Sequence, residues 1–169
     1  MKKISTLKLT QTALVSAVAL VLSALEMMLP DLPFVLPGMK LGLSNIATMF
    51  ALSAMSLPSA LVVCLTKALF ALLARGFTAF LMSLCGGLLS TLAMYLLLKI
   101  KGFGFMGVGI VGAFCHNLGQ ILVAFFFTDS TVFAYFSVLA FFSIFTGMVT
   151  ALVVYIILPK VLKLRLYSS

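Results

Sequence analysis

Acidic side chains are nearly missing from this sequence: Asp and Glu together number 3 in 169 residues, and the two aspartates are Asp31 and Asp129. The aspartate-rich magnesium sites that carry out prenyl transfer cannot be built from so few carboxylates. Histidine occurs once, as His116, with no acidic neighbour in sequence, which argues against a catalytic triad or a zinc centre. No G-x-x-x-x-G-K-[ST] loop is present, so the chain does not bind and hydrolyse ATP in that manner, and any energy coupling has to come from elsewhere. The 3 cysteines, Cys64, Cys85 and Cys115, sit in apolar runs without CxxC spacing and read as small buried residues. No catalytic residue, metal or cofactor is expected.

What the sequence has instead is hydrocarbon. Hydrophobic residues make up 64% and charged residues 8%, with a mean hydropathy of +1.32, against about 25% charged residues in a soluble domain. This is the composition of an integral membrane protein. At about 20 apolar residues per span, the chain has room for six or seven crossings at most and none for a folded soluble domain. The formal net charge of +8 would suggest nucleic acid in a soluble chain; here the basic residues lie at the chain ends and between apolar runs, where they act as topology signals. No nucleic-acid partner is expected. The opening stretch, MKKISTLKLTQTALVSAVALVLSALEMM, has the basic head of a secretory signal. Its apolar body from Leu9 to Leu25 exceeds the usual 7–15 or so residues and no small-x-small cleavage site ends it, so it reads as a retained first helix.

The uncharged stretch from Leu41 to Thr66 contains Pro58, which belongs in a first helical turn because it lacks a backbone donor. Dividing the region there predicts a single all-α transmembrane domain of six helices, over about 9–29, 41–57, 58–75, 77–98, 104–127 and 131–158. With both termini cytoplasmic, Lys2, Lys3, Lys8, Lys99, Lys101, Lys160, Lys163 and Arg165 fall inside, while Lys40 and Arg75 lie at outer ends. Five spans would instead put Lys99 and Lys101, or the C-terminal cluster, outside. All three acids, Glu26, Asp31 and Asp129, fall at the outer face of this map. Small residues four apart, such as Ala13 and Ala17 or Gly86 and Ser90, let helices approach closely in lipid. No internal repeat is evident, which weighs against a stand-alone secondary transporter.

The segment FCHNLGQ, residues 114–120, interrupts this hydrocarbon with three hydrogen-bonding side chains. His116 and Gln120 share a helix face with Gly112, and Asn117 points about 100° away from His116. On the six-helix map, Lys40, Asn45, Arg75, Asn117 and Gln120 gather in the outer half, Ser44 and Asn45 about one turn below the surface, with His116 and Lys67 deeper. If these helices adjoin, they form an outward-facing, positive cavity suited to an anionic or amphipathic small molecule. The alternative is that the same groups tie helices together, with Lys40 and Arg75 reaching the interface as snorkelling cations. Residues 29–45, with three prolines and Gly38, read either as a cap over the cavity or as a plain connector.

Three stretches, LPGMKLGLSNIATMFAL (36–52), GGLLSTLAMYLL (86–97) and GVGIVGAFCHNLGQILVA (107–124), resemble the bacterial membrane family known both as Gx transporter and as heptaprenyl diphosphate synthase component I. That family is in turn similar to the S components of energy-coupling factor (ECF) transporters. The resemblance implies a six-helix subunit of the bacterial plasma membrane that takes a small nutrient or cofactor precursor from outside. It also implies partners: a transmembrane coupling protein, for which Ala13 and Ala17 match the Ala-x-x-x-Ala contact motif of S components, and two ATPase subunits. A second reading makes the chain a non-transport partner of a polyprenyl diphosphate or quinone pathway enzyme, or of a flavin-based extracellular electron transfer system.

Overall fold

The computed structural model describes residues 6–28, 42–127 and 134–167, and all regular structure among them is helical. Six helices follow in order: α1 Thr6–Met28, α2 Asn45–Ala54, α3 Leu57–Arg75, α4 Phe77–Lys99, α5 Phe105–Phe127 and α6 Ala134–Tyr167. Five of them are long and apolar enough to cross a bilayer; the chain is a multi-pass membrane protein. The exception is α2, whose 10 residues reach only about 15 Å at 1.5 Å per residue, half of a hydrocarbon core of about 30 Å.

Local chemistry explains where these helices begin and stop. Pro58 stands in the first turn of α3, behind Ser56 in an extended N-cap conformation (φ −171°, ψ 162°), so the missing proline donor is one the helix start would leave unpaired anyway. The expected start of the second helix at residue 41 is displaced to Asn45 because Gly42 adopts φ +87°, a left-handed conformation that a helix cannot continue through. The turn it makes is closed by Asn45 N donating to Gly42 O at 2.8 Å and Ile46 N to Leu43 O at 3.1 Å. At the far end, α6 does not stop before Pro159 but carries it internally and runs on to Tyr167. Proline removes one helical hydrogen bond, a loss membrane helices tolerate through local adjustment.

Packing is set by small residues. A Cβ built on Gly119 of α5 would lie 2.6 Å from Gly86 Cα of α4, and one on Gly147 of α6 would lie 2.7 Å from Ile110 N of α5. Backbones meet directly at these crossings, as dispersion-driven association in lipid requires. Around this α4–α5–α6 wall, α3 packs on α4 and α1 packs on α3, while α2 touches every other helix. Its Ala47, Met49 and Ala51 are among the most buried side chains of the bundle.

Candidate functional site

Lys67 is the most demanding residue to accommodate, because an ammonium group at mid-bilayer costs roughly 2.5–3.5 kcal/mol or more to insert. It is 3% exposed, and α2 supplies its partners: Nζ donates to Asn45 Oδ1 at 2.9 Å and to Thr48 Oγ1 at 3.3 Å. Both acceptors come from the first turn of α2, which fixes the tip of the short helix at the level of Lys67, midway along α3.

Glu26, near the end of α1, joins the same network. Its Oε1 accepts from the backbone nitrogens of Gly42 and Leu43, the latter at 3.3 Å. A carboxylate placed before a helix start is favoured by the positive end of the helix dipole. Reading Glu26 only as an outer-face acid misses this role. The signal was in the sequence: Thr12, Ser16, Ala19, Ser23 and Glu26 form a buried, mostly polar stripe at three- and four-residue spacing on α1.

Above the α2 tip the polar groups converge. Ser23 of α1, Ser44, Arg75 at the end of α3, Met82 and Ser83 of α4, and His116 and Gln120 of α5 line one cleft with about 10 Å³ of room for a water's centre. That is space for about one water molecule. Its floor is crowded too: a Cβ on Gly42 would come 3.2 Å from the His116 ring, and one on Gly86 would come 3.1 Å from His116 Nδ1 and 3.3 Å from Gln120 Cγ. Glycine at both positions lets backbone lie against the imidazole and the amide.

Of the residues singled out from sequence, Arg75, His116 and Gln120 meet in this cleft, with Asn45 and Lys67 paired beneath it. Asn117 is directed elsewhere. Its Nδ2 donates to Ser143 Oγ at 2.9 Å and to Leu139 O at 3.2 Å, fastening α5 to α6. Lys40 lies outside the described residues, as does most of the expected 29–45 cap. Ala13 and Ala17 are exposed on the outer surface of α1. Ser23 and Ser83 are site-lining residues that sequence reasoning did not single out as such; Ser23 lies on the polar stripe of α1, whereas Ser83 has no distinguishing pattern. Cys64 is buried and Cys85 and Cys115 are half-buried, all three as free thiols. No group of three or more His, Cys, Asp or Glu capable of holding a metal occurs among the described residues.

The arrangement combines a guanidinium, an imidazole, an amide and three hydroxyls, above a helix N-terminus that stops at mid-depth. Such a set offers many hydrogen-bond donors and a positive potential. The fold matches that of a protein described as the S component of a bacterial ECF transporter, with a TM-score of 0.65 over 93% of this chain and 96% of the other, at 19% sequence identity. Comparison with curated proteins returns no match. The family model described as heptaprenyl diphosphate synthase component I matches residues 15–157, and this chain belongs to that family.

Proposed function

We propose that the protein is a membrane substrate-binding subunit that takes a small anionic or amphipathic solute, a nutrient or cofactor precursor, from the outer face of the bacterial plasma membrane. One observation carries the reading: Arg75, His116 and Gln120, together with Ser23, Ser44 and Ser83, come from five separate segments of chain to one polar cleft at one end of the bundle. The opposite end carries Lys8, Lys99, Lys101, Lys160 and Lys163, which supports a cytoplasmic location for that end and for both termini. An interrupted helix whose N-terminus faces a cavity at mid-depth is a recurrent way of receiving an anion in membrane carriers, and α2 has that form. Lys40 belongs to the same proposed site by its place in sequence.

The S-component fold supports a division of labour in which this subunit binds and a transmembrane coupling protein with two ATPase subunits supplies the work. Exposed Ala13 and Ala17 offer such a partner a flat strip on α1. The role is non-catalytic, and the family's description supports a second reading, as the membrane partner of a polyprenyl diphosphate synthase. Native mass spectrometry of the gently extracted protein separates the two. A bound small molecule lost in His116→Ala and Gln120→Ala variants of normal stability is the expected result. Co-purification with a soluble synthase and no bound small molecule would reject the solute reading.

A further inference from the structure

Helices α1 and α6 are not in contact with each other, although both pack on α2, and the gap between them is a second compartment unrelated to the polar cleft. It holds about 670 Å³, within the range of roughly 300–1,000 Å³ typical of ligand sites. Leu14 and Val18 form one bank, Ile157 and Leu162 the other, and Ala47 and Phe50 of α2 form the floor. Gln11 is the one uncharged polar side chain in the lining. The groove runs from Gln11 to Val18 on α1 and from Val154 to Leu162 on α6, about 10–12 Å at 1.5 Å per residue. That is close to the depth of one leaflet, half of a hydrocarbon core of about 30 Å.

Charge fixes which leaflet and which end. Lys8 stands one helical turn before Gln11, on the side of α1 that borders the groove, and Lys160 and Lys163 flank its end on α6; all three are exposed. No acidic residue occurs in these stretches of α1 and α6. We infer that this groove seats an anionic phospholipid of the lysine-rich leaflet, one acyl chain lying on α2 between α1 and α6 and the phosphate held by Lys8, Lys160 and Lys163. A trapped chain satisfies the aliphatic lining, which has almost nothing to offer a polar ligand, and the three ammonium groups satisfy the headgroup. A zwitterionic lipid would bring its own cation into the same rim and lose most of the electrostatic gain, which for each lysine near the surface is on the order of a fivefold change in affinity.

The full-length protein, purified in a mild non-ionic detergent and incubated with equal amounts of phosphatidylglycerol and phosphatidylcholine of matched acyl chains, tests this by native mass spectrometry. One phosphatidylglycerol per protein should persist under collisional activation that strips phosphatidylcholine. The Lys8→Gln, Lys160→Gln, Lys163→Gln triple variant should retain it at least about tenfold less. Val18→Trp, which fills the groove from an exposed position, should abolish retention while leaving the melting temperature in detergent unchanged. Equal retention of the two lipids, or undiminished phosphatidylglycerol in either variant, overturns the assignment. So does a photo-reactive residue at position 18 that cross-links in membranes to a partner polypeptide and to no lipid.

Discussion

Removing the partner of a buried cation should cost more than removing the cation together with its partner. Lys67 donates to Asn45 at 2.9 Å and to Thr48 at 3.3 Å while almost wholly enclosed. Asn45→Ala deletes the shorter bond and leaves the ammonium group with Thr48 alone; a hydrogen bond to a charged group is worth about 1.5–3 kcal/mol. Lys67→Met keeps most of the volume but strands the Asn45 carbonyl, at about 1–3 kcal/mol. In Asn45→Ala, Lys67→Met both polar groups are gone, so the double variant should lose less than the sum of the two single losses by more than about 1 kcal/mol. Neutral side-chain bonds between membrane helices average only about 0.6 kcal/mol in such cycles, and the formal charge is what should lift this pair above that figure. At about 2–4 °C per kcal/mol for a chain of this size, Asn45→Ala should melt some 3–12 °C lower. Fluorescence-detected size-exclusion thermal scans of detergent-solubilised variants measure it. Additive losses, or a coupling of 0.6 kcal/mol or less, would refute the view that Asn45 holds Lys67 as a hydrogen-bonded cation.

Further expectations concern neighbouring features. Gly119→Ala pushes a methyl group to 2.6 Å from the Gly86 backbone, whereas Gly104→Ala meets nothing within 4 Å; the first should destabilise by about 1–3 kcal/mol and the second should be near neutral in the same thermal scan. Gly42 and Gly76 share φ +87°, but only Gly42 has neighbours, Asn45 Nδ2 at 2.8 Å and the His116 ring at 3.2 Å. Alanine at either position should carry the left-handed penalty of about 1–2 kcal/mol, and only Gly42→Ala should also alter solute retention in a binding assay. Asn117→Ala, which releases Ser143 and Leu139, should lower the melting temperature and spare binding; Gln120→Ala, in the cleft, should do the reverse. Equal effects of the two on both measurements would contradict the separation of roles drawn from the two faces of α5.

Composition and proline placement made the helical bundle readable in advance. Pro58 divides α2 from α3, and the count of six helices follows from it together with the distribution of lysines. What sequence could not supply was the point where α2 begins. Gly42 gives no warning that it takes a positive φ, which moves the helix start from the expected residue 41 to Asn45. Likewise the 100° between His116 and Asn117 could be computed from helix geometry, yet nothing in FCHNLGQ says which of the two turns toward α4 and which toward α6. That depends on Gly86, which leaves space beside His116, and on Ser143, which waits for Asn117. Tertiary neighbours, distant along the chain, make that choice. Pro159 was a boundary only in appearance, because a helix in lipid has few alternatives to remaining a helix.

The shortness of α2 has a mechanical corollary. Its tip follows directly on Ser44, which lines the polar cleft, and its flank floors the apolar groove, so one rod of ten residues borders both compartments. If the cleft takes a solute as proposed, a solute that widens it bears on the end of the same helix whose flank floors the groove.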